Sequence, residues 1–387
     1  MAAAAAVRRR CIVALIASLA VGSMALAMIG PLISVILDRN GFSATTIGLN
    51  AAMPAVALVA LVFSLPAILR KIGAASAMYA GLAIWAAAVL LMPLQSGPVA
   101  WLILRFLLSI GFCFHWVMGE AWVNAAATER NRGRVIGAYV MFATLGAAAG
   151  PAVLSLTGFT GTRPFFVVAA VVAAAAVPLL AMPKISSPMM PRGSKSLADM
   201  ARKAPMAMAM GLVAGFCDIT LFSLFPVYGV KIGLSVDATM ALLVAFLIGT
   251  AVTQLPLGWL AEWVKGRLLL AACAFNVIAA AVILPYLTNS MAALVFVMFL
   301  WGGAQIGFYT LGLVELGSKF ERNELVGANS IFSLMYGTGA FAGPLIAGAV
   351  MDGWGANGLS ATVAVVSGAL LLSVAIGFAQ SRSRIGR

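Results

Sequence analysis

A chain of 387 residues that is 63% hydrophobic and only 9% charged cannot clothe a water-facing surface, because soluble globular proteins carry about 25% charged residues. Its net charge of +13 invites a nucleic-acid reading, but the basic residues sit in short loops between apolar runs, not along one soluble face. The runs reach about 20 residues or more, enough to cross a hydrocarbon core about 30 Å thick, and none alternates as a membrane barrel strand does. With every backbone polar group needing a partner inside lipid, helices are the structure this pattern builds.

The first run, behind Arg8-Arg9-Arg10, imitates a secretory signal, yet it continues through Gly30-Pro31 to Leu37. That is too long for a signal core, so it reads as an uncleaved first transmembrane helix. Spans are expected at 11–37, 44–69, 74–94, 98–127, 135–158 and 164–182, then at 204–230, 237–261, 268–287, 291–318, 325–351 and 360–379. The longest polar stretch, 183–203, is rich in Pro and Ser and marks a linker. It divides the chain into an N-terminal six-helix bundle (1–182) and a C-terminal one (204–387). The N-terminus, the C-terminus and the loops on their side of the bilayer hold twenty Lys and Arg; the opposite loops hold three, Arg39, Arg163 and Lys231. By the positive-inside rule both termini are expected in the cytoplasm, with the linker.

The halves repeat each other. Glu129-Arg130-Asn131 returns 192 residues later as Glu321-Arg322-Asn323, and Gly146-x-x-x-Gly150-Pro151 returns after 193 as Gly339-x-x-x-Gly343-Pro344. Leu65-Pro66, read as the end of helix 2, returns after 190 as Leu255-Pro256, read as the end of helix 8. A duplicated six-helix unit is the organisation of parallel-repeat transporters.

Few ionisable residues fall inside spans: Arg105, His115, Glu120, Asp218 and, near a helix end, Glu315. A charge at the bilayer centre costs about 2.5–3.5 kcal/mol on insertion scales, so such residues persist where they meet water, a partner or a solute. Arg105, Ser109, Phe112, Trp116 and Glu120 share a stripe about 80° wide on helix 4, mixing both charges with aromatics. Arg105 and Glu120 are about 22 Å apart along the axis, too far to pair directly. Asp218, midway along helix 7, and Glu120 are the candidates for a protonation site; Arg105 or Asp218 could instead tether helices. Tyr139, Gln254, Gln305, Tyr309, Asn329 and Tyr336 are further polar groups in spans that either line a cavity or bond between helices. His115 is the only histidine, next to Cys113 and Met118 in a chain of twenty methionines, which raises a soft-metal importer as the alternative. Met206, Met208 and Met210 scatter around a helix at two-residue spacing, so His115 is taken as a core or cavity residue and no metal site or cofactor is expected. The four cysteines fall in apolar segments without a CxxC pair and read as buried thiols. No metal triad, nucleophile elbow or phosphate loop points to an enzyme.

These features resemble the major facilitator superfamily, and within it the small YcaD-like group of bacterial inner-membrane proteins. The similarity is densest from Arg105 to Pro151 and around helices 8 and 11. It implies an all-α membrane protein of twelve transmembrane helices in two pseudo-symmetric six-helix bundles, working as a monomer by alternating access around a midplane cavity. Helix 5 is similar to the family's antiporter motif at Gly137, Gly146, Gly150 and Pro151, although Leu154 and Ser155 stand where the motif closes with two glycines. Arg105 with Gly111 is similar to the helix-4 motif that the family associates with proton coupling. The loop motif that latches the cytoplasmic gate keeps only Lys71 and Gly73 in its first copy, with Pro66 and Arg70 replacing its Gly and Asp. The second copy is fuller, with Gly258, Glu262, Lys265, Gly266 and Arg267, and it implies a gating role for Glu262. The resemblance thus implies a secondary transporter of a small organic solute, with protons as the second partner and efflux as the direction.

Overall fold

The computed structural model describes residues 2–95, 97–126, 132–181, 201–320 and 324–385; side chains at 2–6, 62, 63, 66, 124, 125, 132–134, 137, 255, 262, 325, 326 and 377–385 are not among those described. The paired Glu-Arg-Asn loops at 129–131 and 321–323 and most of the 183–203 linker therefore lie outside the described residues, as do the side chains of Pro66, Gly137 and Glu262. Every regular element among the described residues is helical. The long helices are α1 (Ala2–Arg39), α2 (Ala44–Ile72), α3 (Ala74–Leu91), α4 (Pro98–Ala126), α5 (Arg132–Thr157) and α6 (Arg163–Ala174, continued by a turn at Val177–Leu180). They are followed by α7 (Pro205–Lys231), α8 (Val236–Trp263), α9 (Gly266–Ile283), α10 (Met291–Lys319), α11 (Leu325–Trp354) and α12 (Gly358–Ile385).

Twelve spans among the described residues are long and apolar enough to cross a membrane, matching the expected segments to within a few residues at most ends. Two differences stand out. Helix α1 begins at Ala2, so Arg8-Arg9-Arg10 ride on its first turns. The Leu-Pro pairs do not end their helices: α2 runs on to Ile72 and α8 to Trp263, with Pro256 inside α8. A proline in lipid is tolerated where the surroundings re-satisfy the freed carbonyl.

The chain clusters into two compact units. One comprises Met1–Asn40 and Met53–Pro191, the other Gly41–Ala52 and Arg192–Arg387. In the first, α1 packs on α4, α5 and α6, and α3 on α4 and α6; in the second, α7 packs on α10, α11 and α12, and α9 on α10 and α12. Each pairing in the first set has its counterpart six helices on. The sequence repeat explains why. A Cβ on Gly146 would meet the Ala20 carbonyl of α1, and one on Gly150 the Met24 carbonyl; 192 residues later, Leu212 and Phe216 of α7 offer their carbonyls to Gly339 and Gly343 of α11. Without a hydrophobic force between helices in lipid, such backbone approach supplies the packing that holds a bundle. A further repeat, not evident from the motifs, is also present. Helix α3 ends in a 3-10 turn at Met92–Leu94 and α9 in one at Leu284–Leu287, each carrying a proline, Pro93 and Pro285.

Helix α2 starts in the second unit, where α11 receives it. The Asp352 carboxylate accepts from the backbone N–H of Ala44 at 2.8 Å and of Thr45 at 2.9 Å, and from Thr45 Oγ1 at 2.6 Å. Gly48 lies against the Pro344 carbonyl and Gly348 against that of Ala44, each leaving no room for a side chain.

Candidate transport site

In the second unit, the polar groups of three helices converge. Asp218 lies thirteen residues from either end of α7 (Pro205–Lys231), and Gln305 fourteen from either end of α10 (Met291–Lys319). Gln305 Nε2 donates to Asp218 Oδ1 at 2.7 Å, and Tyr336 Oη, from α11, donates to Oδ2 at 3.2 Å. Trp301 Nε1, one turn before Gln305, donates to Gln305 Oε1 at 2.9 Å. Tyr309 closes the group, its ring 5.7 Å from that of Tyr336 and 5.2 Å from that of Phe332. Gln305 is 1% exposed while Asp218, Tyr309 and Tyr336 are half-buried, so one of the two donors to the carboxylate is fully buried and the other only partly. The glycines of α7 make this possible. Gly215, one turn from Asp218, sits on the Tyr336 carbonyl, and that close approach brings the phenol within reach of the acid.

Trp301 does not stand out in the sequence, since an aromatic in an apolar span reads as packing; its spacing of four from Gln305 is the available signal. Of the other polar residues expected at the cavity, Gln254 on α8 is half-buried and Asn329 on α11 is exposed.

The first unit carries a different arrangement. Rings form a chain across three helices, from Trp85 on α3 to Phe112 (5.5 Å) and Trp116 (5.6 Å further) on α4, then Tyr139 on α5 (5.7 Å). Trp85, like Trp301, is legible only as an apolar-span aromatic. Trp116 also donates a hydrogen bond to Glu120, which is exposed and six residues from the end of α4. Arg105 is 5% exposed, and Ser109 beside it spends its hydroxyl proton on the Arg105 carbonyl at 2.6 Å. His115 is off this face and fully buried between α1 and α4, with Nε2 3.3 Å from the Ser18 carbonyl and a Gly22 that must lack a side chain to admit the ring. All four cysteines are free and buried. Among the described residues, no three His, Cys, Asp or Glu side chains gather as a metal-binding group.

The residues expected to move or hinge divide in the same way. Gly146, Gly150 and Gly343 are sites of helix contact. Pro151 and Pro344 sit inside α5 and α11. Gly73 joins α2 to α3 with φ +74°, a left-handed turn that favours glycine. Gly258 has nothing within 4 Å of where a Cβ would stand, and Arg267 is exposed at the start of α9.

Comparison with known proteins gives this arrangement a context. The sequence profile of the Major Facilitator Superfamily matches residues 15–314 and 208–386. The chain is 27% identical over 370 residues to the uncharacterised MFS-type transporter YfkF of Bacillus subtilis (strain 168), covering 92% of each protein. It is 26% identical over 308 residues to the uncharacterised MFS-type transporter YcaD of Salmonella paratyphi B, covering 79% of each. Among solved structures it is similar to the nucleoside transporter NupG, with a TM-score of 0.76 at 14% identity over 96% of this chain and 99% of that one. A bacterial homologue of the human lysosomal transporter Spinster, inward-facing and occupied, gives 0.75 at 15% identity over 96% of both chains. At those identities the two structures speak to the fold, which they share with this chain. With its profile matched along nearly the whole length and its twelve spans in two repeats, the chain belongs to the Major Facilitator Superfamily, as a YcaD-like multi-pass membrane transporter and not an enzyme.

Proposed function

We propose that this transporter exports a small organic solute in exchange for protons, by alternating access of its two six-helix repeats, and that Asp218 is the group that takes up and releases the proton. The observation that carries this reading is the carboxylate midway along α7 whose bonded partners, Gln305 and Tyr336, are both neutral. A carboxylate fixed by a cation would strand that cation on protonation; one fixed by an amide and a phenol gains a proton and leaves no charge behind. Such a group at mid-membrane is costly unless its charge is used. Glu120 serves as a second proton acceptor towards the end of α4, and Arg105 supplies the fixed positive charge of the cycle. In the first unit the aromatic faces of Phe112, Trp116 and Tyr139 are candidate solute contacts; in the second, the polar groups around Asp218, with Gln254 and Asn329, are further candidates. Export as the direction is supported by the α5 pattern Gly137, Gly146, Gly150 and Pro151. Gly73, Gly258, Glu262 and Arg267 act at the cytoplasmic gate.

The excess of twenty basic residues over three supports an inner-membrane protein with both termini and the 183–203 linker in the cytoplasm, acting as a monomer. Reporter fusions at each terminus test the orientation. Reconstitution tests the coupling. In liposomes with an imposed pH gradient, solute flux follows the gradient in the parent protein and loses that dependence in Asp218→Asn, with Glu120→Gln weakening it. Flux indifferent to the gradient in the parent, and unchanged in both variants, defeats the proposal.

A further inference from the structure

Arg105 is the most unusual side chain in the first unit. It is 5% exposed, and both Nε and Nη1 are buried without a hydrogen-bond partner. Ser109, one turn away, is engaged with the Arg105 carbonyl, and Glu120, the acid on the same stripe, lies about 22 Å along the helix. A guanidinium does not give up its proton at any ordinary pH, so it cannot answer burial by becoming neutral as a lysine would. A buried charge left in that state is strongly destabilising. The fork of donors therefore waits for an anion that no described residue supplies. Two turns further along α4, Phe112 and then Trp116 are half-buried and begin the ring chain that reaches Tyr139. Trp85, edge-on to Phe112, adds a buried indole N–H that is also without an acceptor.

We infer that Arg105 is the anion subsite of the solute path and that the solute is an organic carboxylate with an apolar or aromatic body. The carboxylate bonds the guanidinium fork, and the body lies along Phe112 and Trp116. The geometry suits this pairing, because a planar fork matches a carboxylate and adjacent ring faces accept an apolar body. The inference rests on the transporter reading and deepens it by naming the charge of the cargo.

The test uses the purified full chain in nanodiscs and follows its melting temperature. Phenylacetate, phenylpropionate and octanoate are titrated beside the neutral phenylacetamide, the cation phenethylamine and inorganic phosphate. At least one of the carboxylates is expected to raise the melting temperature saturably, and the amide, the amine and phosphate are not. Arg105→Gln weakens the apparent affinity at least about tenfold, and Arg105→Lys recovers part of it. Phe112→Leu, which keeps the charge, weakens phenylpropionate, so the inference stays testable if Arg105→Gln does not fold. Binding of the amide or amine in place of the carboxylates overturns the anion subsite; counterflow of the same compound would leave the transporter reading standing. Absence of a shift with every carboxylate, or a shift equal in Arg105→Gln, also overturns it. A shift with phosphate alone marks an inorganic-anion site and overturns the organic cargo.

Discussion

Gln305 is bonded at both ends of its amide: Nε2 donates to Asp218 Oδ1 at 2.7 Å, while Oε1 accepts from Trp301 Nε1 at 2.9 Å. Only one orientation of the amide satisfies both neighbours, because a flip would set oxygen against carboxylate and NH2 against indole N–H. The glutamine thus connects a tryptophan that can only donate to an acid that, when ionised, can only accept.

Replacing it breaks both bonds at once. Gln305→Leu is close in volume but leaves Trp301 Nε1 and Asp218 Oδ1 each without its partner, at about 1–3 kcal/mol per orphaned group. The expected result is a melting temperature clearly below that of the parent in detergent. A Trp301→Phe, Gln305→Leu double variant should lose less than the sum of the two single changes, since the indole and the amide share one bond. Strict additivity would show that the chain of bonds is not formed.

The glycine contacts predict a symmetric pattern of damage. Gly146→Val in α5 and Gly339→Val in α11 each press a side chain into a backbone carbonyl of the facing helix, of Ala20 and Leu212 respectively, where no rotamer change relieves it. Overpacking of this kind costs about 1–3 kcal/mol or more. Gly337→Val, on the same helix as Gly339 but with nothing within 4 Å, serves as the control and should melt near the parent. Equal tolerance of all three substitutions would contradict the close approach of α5 to α1 and of α11 to α7.

These two cases show what the chain order reveals and what it hides. Spans, the repeat and the scarcity of buried charge are readable because hydropathy and spacing are local properties. Gly146 and Gly339 are visible as repeated letters, and their packing role follows from the small-residue rule. Asp218, Gln305, Tyr309 and Tyr336 each stand out as polar groups in oil, but their meeting does not. Positions 87 and 118 residues apart touch only through the rotation each helix adopts in the bundle. His115 stays between core and cavity in the sequence for the same reason: a rotation of about 100°, one residue's step, decides whether a ring faces α1 or the aromatic stripe. Asp352 escapes notice because its partners are 307 and 308 residues away.

Gly73 and Gly258 separate packing from motion. Gly73 has φ +74° with open space around it, so Gly73→Ala is expected to cost about 1–2 kcal/mol through backbone strain alone. Gly258 lies within α8 with open space and no left-handed φ, so Gly258→Ala should melt at or above the parent, by up to about 1 kcal/mol of helix propensity. If Gly258 belongs to the gate, that stable variant transports more slowly. Unaltered flux in liposomes would remove Gly258 from the gate.

Asp352 gives the last prediction, because it caps a helix to which it does not belong. Its two oxygens take the N–H groups of Ala44 and Thr45 and the Thr45 hydroxyl, at the positive end of α2. A carboxylate there does the work of an N-cap side chain, whose loss costs about 0.5–2 kcal/mol. Asp352→Asn keeps one acceptor oxygen and should lose part of that stability; Asp352→Ala should lose all of it. Hydrogen exchange at the amides of Ala44 and Thr45 should quicken in the same order, while amides in the middle of α7 and α10 keep their protection. Thr45→Val removes the hydroxyl bond alone and should fall between the parent and Asp352→Ala. If exchange at Ala44 and Thr45 is the same in Asp352→Ala as in the parent, the first turn of α2 is held by the glycine contacts with α11 and not by the carboxylate.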